Sequence, residues 1–414
     1  MDYRSMVNPT FVTAKSTLYM LAAAGNDDAK QVIESLGTQD VMSADSRKNE
    51  EDKSPMSEAD RNAFLAGVTL AVEARYAALS HFISANGVKN LLDIACGYTP
   101  RSMYCSKNGV DYVGVDVPVV ADELQKFASQ AGIVKGHPVY IGGDATNEAS
   151  LKAAADNLKG EILISCEGLT GYLSGDEADQ FFNGIRELLE EHGGAWITSD
   201  FGVDYEAFAT VNMTSPDAVK IYRESKNQSM KAFNVYNDGV SYWDEDRIVS
   251  FLNEHGLLVE KLPFYYEGEE LNILSPLPGP WKDSFIGLLK SSTVWKMTVD
   301  PDFKGETAVE GASEVDNLKI DYVKKNGVLK CRIKGRIDTI SSPALLEVFD
   351  KNYDGINKIV IDGTDLQYIS SAGLRVMLMA VKRLGEETVV IEHTNDSVRE
   401  IFETSGFSEL LILK

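Results

Sequence analysis

Small and acidic residues recur at the ends of short apolar segments in the first half of the chain. The segment NLLDIACGYTPRSM places Asp93 near the end of one apolar run and the small residues Ala95 and Gly97 in the turn that follows. Small side chains at such a turn allow a ligand to approach the backbone. The next run, DYVGVDVP, ends in Asp116, where a carboxylate can accept hydrogen bonds from both hydroxyls of a ribose. This order of residues is typical of a nucleoside-binding site.

A third run ends in GGDAT, which places Asp144 and the backbone of Ala145 where an adenine amino group could be read. The absence of a GxGxxG motif argues against a dinucleotide. A strand that ends in Asp before a small-residue turn is often plain sheet architecture. The order and spacing of the three runs favour a ligand site.

Apolar runs and amphipathic segments alternate between these residues. The segment SGDEADQFFNGIRELLEEHGG has Ser174 as a helix N-cap and Gly193 as its stop, which predicts a crossover helix between two buried strands. Such alternation predicts an open α/β sheet whose ligands lie at the carboxyl ends of the strands.

Three motifs of this region resemble the leucine carboxyl methyltransferase family, which is part of the class I S-adenosylmethionine-dependent methyltransferases. They are CGYTPRSM, which supplies Arg101, then VDVPVV, and CEGLTGYLS, which is similar to the family's Glu-Gly-Leu-Leu-x-Tyr-Leu signature. The resemblance covers roughly residues 1 to 300. Ala95 departs from the family in replacing the usual first glycine of the loop, and the substrate-contacting insertion is not recognisable.

The resemblance implies a Rossmann-like sheet with helices on both faces and S-adenosyl-L-methionine as the cofactor. Glu167 would then face the cofactor, Asp116 would hold its ribose, and Asp144 with Ala145 would line its adenine. Arg75 lies where the family has an arginine that pairs with the carboxylate of the cofactor.

Each of these residues has a plainer interpretation. Arg101 could be a surface helix residue, and Glu167 could be a strand-end carboxylate satisfied by neighbouring amides. Tyr172 is better explained by core packing. The acceptor is expected to be a small molecule or a carboxylate, and only a hydroxyl acceptor would need a nearby base. Its identity depends on the aromatic segment Val203–Trp243, which is predicted to form a lid.

The last hundred residues have a different texture. The sequence around Asn326-Gly327 alternates apolar and polar residues and predicts a β-hairpin. The motifs GRID, DLQYISSAGLRVML and LGEETVVIEH resemble the STAS domain of anti-sigma factor antagonists over nearly all of residues 316 to 414. This predicts a smaller α/β domain with a mixed sheet and helices on one side.

In the STAS family a serine at the start of the central helix can be phosphorylated by a partner kinase, and Ser371 occupies that place. A helix N-terminus favours an added phosphate electrostatically. Ser370 stands where many relatives have Asp, and Ser371 could equally be a helix N-cap. The implied partner is an anti-sigma-like kinase or another signalling protein.

The length of 414 residues predicts two domains, and the acidic, Gly-containing stretch between them separates residues 1–302 from 316–414 through a linker at 303–315. The net charge of −23 disfavours nucleic acid and anionic membrane partners. The five His and four Cys lack metal-site spacing, so no metal is expected. With no signal peptide or apolar span evident, we expect a cytoplasmic protein.

Together these features predict an S-adenosylmethionine-dependent O- or carboxyl-methyltransferase coupled to a STAS domain. An alternative from a different class keeps the cofactor pocket without catalysis, so that occupancy of the pocket is reported to the STAS domain. Turnover across a panel of acceptors distinguishes the two.

Overall fold

The computed structural model describes residues 9–37, 56–133, 139–232, 239–240, 243–303, 309–325, 327–385 and 388–413. The chain divides into two compact units, Met1–Phe303 and Lys304–Lys414. Each unit has its own sheet, with two apolar cores in the N-terminal unit and one in the C-terminal unit.

The described part of the N-terminal unit contains a seven-stranded sheet in the order β3-β2-β1-β4-β5-β7-β6. Strands β1 to β5 run parallel, whereas β7 pairs antiparallel with both β5 and β6. The strands are β1 (Asn90–Ile94), β2 (Asp111–Asp116), β3 (Tyr140–Gly142), β4 (Ile162–Cys166), β5 (Gly194–Thr198), β6 (Leu257–Pro263) and β7 (Thr293–Val299).

Helices of this unit precede the sheet and connect its strands. They are α1 (Pro9–Ala23), α2 (Asp27–Ser35), α3 (Glu58–Ala85), α4 (Arg101–Lys107), α5 (Pro118–Gln130), α6 (Glu148–Ala155), α7 (Gly175–His192), α8 (Tyr205–Thr210), α9 (Pro216–Ala232), α10 (Glu245–Glu254) and α11 (Gly279–Ser291).

The sheet separates two apolar cores. One contains Leu70 of α3 and Leu124 of α5, and the other contains Phe181 of α7 and Leu252 of α10. Strand β1 contributes to both, because Leu91 faces the first core and Leu92 the second. The strand order and these two cores confirm the predicted Rossmann-like sheet with helices on both faces.

The crossover helix α7 begins and ends where its sequence indicates. Ser174 and Glu177 form a reciprocal capping box, and Gly193 terminates the helix with a φ of +75°. The chain then enters β5 directly. Because β1, β2, β4 and β5 are parallel, their carboxyl ends lie at one edge of the sheet.

Helix α3 is the longest helix among the described residues and lies against the first core. By length and composition alone it could cross a membrane, and it is the one described helix that meets this criterion. Its Leu70, Ala71 and Ala74 are buried, and it also buries the polar Asp60 and Glu73. A core helix satisfies the same criterion, so the finding is weak evidence for a membrane span.

The C-terminal unit forms a six-stranded sheet over its described residues, in the order β13-β12-β11-β10-β9-β8. Its strands are β8 (Val309–Val315), β9 (Leu318–Lys325), β10 (Val328–Ile337), β11 (Lys358–Ile369), β12 (Val389–Glu392) and β13 (Ile412–Leu413). Its helices are α12 (Ser342–Asn352), α13 (Ser371–Leu384) and α14 (Asp396–Thr404).

Strand β10 shows why the helices of this unit cover one face of the sheet. Leu329, Cys331 and Ile333 are buried, and the alternate residues Lys330 and Arg332 are exposed. The β8-β9-β10 segment is antiparallel, and β10 to β13 run parallel. The predicted mixed α/β sheet is therefore confirmed. Of the predicted hairpin turn, Gly327 has the left-handed φ of +73°, and Asn326 lies outside the described residues.

The structure differs from the sequence prediction within the linker at 303–315. Residues 304–308 lie outside the described residues, but Val309–Val315 form the edge strand β8 and pair with β9. The strand escapes prediction because it is largely exposed on both faces and so carries no alternation of apolar and polar residues. The domain boundaries of 1–302 and 316–414 stay a prediction, and the C-terminal sheet begins before residue 316.

We predict that a fragment ending at Phe303 folds by itself, because Phe303 and the residues before it pack within the N-terminal unit. The fragment should remain soluble and unfold in one cooperative thermal transition, measured by circular dichroism. A matched fragment ending at Ser292 removes β7 from between β5 and β6 and should fail to fold. Aggregation of the longer fragment would contradict the division.

Candidate functional site

The turn after β1 has a left-handed backbone at two positions. Ala95 has a φ of +52° and Gly97 a φ of +53°. Gly97 adopts this conformation without strain, whereas the Cβ of Ala95 makes the same conformation sterically costly. A Cβ on Gly97 would lie 3.6 Å from the Cβ of Ala14 in α1. Strain of this kind is found mostly where a backbone shape serves a ligand or a switch.

Asp116 at the end of β2 is tied to this turn. Its Oδ2 accepts a hydrogen bond of 2.8 Å from the amide of Gly97, and its Oδ1 accepts one of 2.8 Å from the amide of Val117. Burial raises the pKa of Asp116, although the two amides favour its ionised form. Each carboxylate oxygen retains capacity for a further donor. The residue is thus fixed and able to accept more bonds.

Asp144 and Ala145 follow β3, the neighbour of β2. The amide of Gly143 donates to the carbonyl of Asp116 at 2.8 Å, which holds the two strand ends together. Asp144 is exposed, and its Oδ1 accepts bonds from the amide and hydroxyl of Thr146 at 2.9 and 2.8 Å. Ala145 is half-buried.

Five of the predicted residues line one cavity. They are Arg75, Asp93, Ala95, Arg101 and Glu167. The cavity measures about 20 Å³, which is room for one water molecule, and Thr17 and Leu21 of α1 also line it. A nucleoside is much larger than this cavity.

Arg75 and Glu167 form a loose, partly buried ion pair in this cavity. Arg75 Nε lies 3.7 Å from Glu167 Oε2, and the side chains are 12% and 18% exposed. This is longer than a charge-assisted hydrogen bond, which is typically about 2.7–2.9 Å. Tyr205, Glu167 and Asp200 raise the pKa of Arg75 against the lowering effect of burial, so the guanidinium stays charged. The two opposite charges are close without being fully engaged by each other.

Glu167 is only weakly hydrogen-bonded by the described residues. Its Oε1 accepts one long bond of 3.3 Å from the hydroxyl of Ser199. Burial raises its pKa to about 7, and Asp200 and Asp93 contribute to the rise while Arg75 and Arg101 oppose it. The alternative in which neighbouring amides satisfy Glu167 does not describe its contacts, because those amides donate to another residue.

That residue is Asp200, which the sequence prediction missed. Its Oδ1 accepts from the amide of Gly168 at 2.7 Å, and its Oδ2 accepts from the amides of Leu169 and Thr170 at 3.2 Å each. The hydroxyl of Thr170 adds a bond of 2.9 Å. The available sequence signal was an acidic residue just after the fifth strand, at the same edge of the sheet as Glu167.

Arg101 and Asp93 are both buried and both engaged within the protein. Arg101 Nη1 donates to Ser80 Oγ at 2.6 Å, Nη2 donates to the carbonyl of Tyr76 at 3.1 Å, and the guanidinium stacks on the Tyr76 ring. The alternative in which Arg101 is a surface residue is therefore wrong. Asp93 accepts from Ser165 Oγ at 2.6 Å and from the hydroxyl of Tyr112 at 3.0 Å, and burial raises its pKa.

The predicted lid corresponds to α8, α9 and the residues after them. Residues 233–238 and 241–242 lie outside the described residues. Tyr205 at the start of α8 reaches the cavity region, because its hydroxyl lies 3.1 Å from Ser199 Oγ and Arg75 lies over its ring at 5.9 Å. The half-buried Tyr172 lies in a 3₁₀ turn, Thr170–Tyr172.

Potential metal ligands come together at one place among the described residues. Asp156, Glu191 and His192 have ligand atoms within 4.8 Å of one another. Glu191 already accepts a bond of 2.6 Å from Lys152 Nζ. Asp156 directly follows α6, and Glu191 and His192 are the last two residues of α7. The group therefore lies at the edge of the sheet opposite the carboxyl ends of the strands.

In the C-terminal unit the N-cap of α13 is Ser370. Its Oγ accepts a bond of 3.4 Å from the amide of Gly373. Ser371 is the first helical residue and is exposed. The N-cap alternative for Ser371 is therefore wrong, and its hydroxyl is accessible at a helix N-terminus.

Comparison with known proteins identifies the C-terminal segment. Residues 319–414 match the model of the STAS domain. A putative anti-sigma factor antagonist of Bordetella bronchiseptica, BtrV, is 36% identical over 94 residues, which cover 22% of this chain and 80% of that protein. The chain thus belongs to the STAS family through this segment.

Solved structures are similar to each unit separately. An anti-sigma factor antagonist from Mycobacterium paratuberculosis is 21% identical with a TM-score of 0.20, and the match covers 26% of this chain and 85% of that one. Magnesium protoporphyrin IX methyltransferase from Synechocystis PCC 6803 is 13% identical with a TM-score of 0.33, over 56% of this chain and 85% of that one. These similarities are too low to assign an activity to the N-terminal unit, so its function has to be argued from its own residues.

We predict that Ala95→Gly stabilises the protein, because it relieves the left-handed strain at a site where only glycine is unstrained. Relief of roughly 1–2 kcal/mol should exceed the roughly 0.5–1 kcal/mol that glycine costs by entropy. Chemical denaturation should show the gain. The control Ala154→Gly, in α6, should instead lower the free energy of unfolding, and a loss at both positions would contradict the strain.

Proposed function

We propose that the N-terminal unit is an S-adenosylmethionine-dependent O- or carboxyl-methyltransferase. We propose also that the STAS domain binds a partner protein or regulates the enzyme. One observation carries the first part of the proposal. A partly buried and incompletely engaged Arg75–Glu167 pair lies beside a strained small-residue turn at the carboxyl edge of the sheet. An amino acid zwitterion supplies the opposite charges that such a pair lacks.

The residues present fit the parts of this cofactor. Arg75 would hold its carboxylate and Glu167 its ammonium, and Asp116 has acceptor capacity for ribose hydroxyls. The small Ala95 and Gly97 would let the ligand approach the backbone of the turn, and Asp144 with Ala145 would line the adenine. When bound, this cofactor supplies a methyl group that an acceptor oxygen takes by in-line displacement of the sulfonium sulfur.

The remaining work of the protein is alignment and the exclusion of water. Thr17 and Leu21 of α1 line the cavity, and Arg75, which also lines it, lies over the ring of Tyr205 at the start of α8. A carboxylate acceptor is ionised at neutral pH and needs no base, whereas a hydroxyl acceptor would need one. We propose that the acceptor is a small molecule or a carboxylate. We also propose that the protein is cytoplasmic.

The proposal is tested by calorimetry with S-adenosylmethionine and by detection of the demethylated product across carboxylate and hydroxyl acceptors. Asp116→Ala should weaken cofactor binding by a few kcal/mol, since two charge-assisted bonds are worth about 1.5–3 kcal/mol each. Asp111→Ala, at the exposed start of the same strand, should bind as the parent does. Equal affinity in both variants would remove the ribose assignment, and binding without product would leave a cofactor-binding sensor.

We expect cofactor affinity to fall as the pH is lowered through 7. The ammonium of the cofactor requires an ionised Glu167, whose pKa burial raises to about 7. An α-amino group has a pKa of about 8, so the ligand stays charged below pH 7. The dissociation constant should rise about 15-fold between pH 7.0 and 5.5. In Glu167→Gln the affinity should be lower and the pH dependence absent, whereas an unchanged profile would contradict the role of Glu167.

For the STAS domain we propose that Ser371 is phosphorylated by an anti-sigma-like kinase or a similar signalling protein. The support is its exposure at the first position of α13, where unpaired amides and the helix dipole favour a phosphate. The added charge of about −1.5 to −2 would change the surface that a partner contacts.

We predict that Ser371→Asp weakens partner capture from lysate and that Ser371→Ala retains it. The isolated N-terminal unit does not contain Ser371, so its methyl transfer serves as a baseline that is independent of both variants. Ser370→Ala is the matched control, because loss of the N-cap should cost about 1 kcal/mol of stability and leave the hydroxyl of Ser371 in place. Identical partners for parent, Ser371→Asp and Ser371→Ala would exclude a switch.

A further inference from the structure

Asp200 has a more specific arrangement than a strand-end carboxylate requires. Four hydrogen-bond donors reach Asp200 from the turn that directly follows Glu167, namely three backbone amides and the hydroxyl of Thr170. Gly168, the first residue of that turn, has a φ of +80°. A Cβ on Gly168 would lie 3.5 Å from Arg75 Nη1, so the turn passes close to the guanidinium.

Several of the described elements bring charged or titratable groups near Glu167. They include Arg75 from α3, Arg101 from α4, Asp93 from β1, Cys166 from β4, Asp200 after β5 and Tyr205 from α8. The two carboxylates among them disfavour a negative charge on Glu167, and the two guanidiniums favour it. Asp200 thus acts on Glu167 in two ways, through the backbone and through the electrostatic field.

We propose that Asp200 is the positioning residue of this site: it fixes the turn behind Glu167 through four hydrogen bonds, and its negative charge opposes a second negative charge on Glu167. The identity of the ligand at this site rests on the function proposed above. Neither oxygen of Asp200 needs to contact the ligand.

The test is a carbon-13 NMR titration of the Glu167 carboxyl in the full-length, ligand-free protein, with the resonance assigned by its loss in Glu167→Gln. In Asp200→Asn the titration midpoint should fall by about one pH unit, because one nearby like charge is removed. A midpoint equal to that of the parent in folded Asp200→Asn overturns the proposal.

Asp60 provides a matched control at the start of α3. Its Oδ1 accepts from the amide and hydroxyl of Thr214 at 2.7 and 3.0 Å and from the amide of Ser215 at 3.3 Å, so it makes a similar set of bonds remote from Glu167. Asp60→Asn should lower thermal stability as Asp200→Asn does and leave the Glu167 midpoint unchanged. An equal shift in both variants would mean that general loosening, and not the charge of Asp200, moves the midpoint.

Thr170→Val keeps the proposal testable if Asp200→Asn does not fold. It removes one donor to Asp200 without removing a charge, so S-adenosylmethionine should bind several-fold more weakly at pH 7.5 and the Glu167 midpoint should stay near that of the parent. Parental affinity in Thr170→Val would contradict the positioning role. If the parent itself binds no S-adenosylmethionine, the proposed function fails, whereas the titration still decides the effect of Asp200 on Glu167.

Discussion

The burial of the Arg75 guanidinium is the constraint on which the N-terminal site depends. A cation removed from water is tolerated only where opposite charges and hydrogen-bond acceptors replace its hydration. Arg75 is near the middle of α3, and its partners Glu167, Asp200 and Tyr205 come from the ends of β4 and β5 and the start of α8. The site therefore forms only when α3 lies along the carboxyl edge of the sheet. Folding and site assembly are in this respect the same event.

The same helix anchors two distant loops through buried carboxylates. Asp60 accepts bonds from Thr214 and Ser215 before α9, and Glu73 accepts bonds of 2.6 and 3.0 Å from the amides of Asn272 and Ile273. Asp200 binds the turn after Glu167 in the same manner. Backbone amides thus supply the hydrogen bonds that these carboxylates need, and the loop that binds Glu73 also packs Leu271 and Leu274 into the first core.

Periodic features of this protein could be predicted from the sequence, and pairings between distant residues could not. Strands β1 and β2 and helix α7 carry continuous apolar runs or a capping box, which are local signals. The antiparallel insertion of β7 between β5 and β6 leaves no local signal, and neither does the exposed edge strand β8. The candidate site follows the same rule. Asp116 and Glu167 stand beside recognisable motifs, whereas Asp200 matters only through residues about thirty positions away along the chain.

Ser370, the N-cap of α13, and Ser371, the proposed phosphorylation site, are adjacent at the start of the same helix. Ser370 uses its side chain to cap α13, which leaves Ser371 in the first turn with an exposed hydroxyl. The first amides of a helix have no partner within the helix, and the dipole there favours negative charge. A phosphate on Ser371 would therefore add charge to the surface while leaving the cap, and hence the helix, intact. Had Ser371 been the cap itself, modification would have altered folding together with binding.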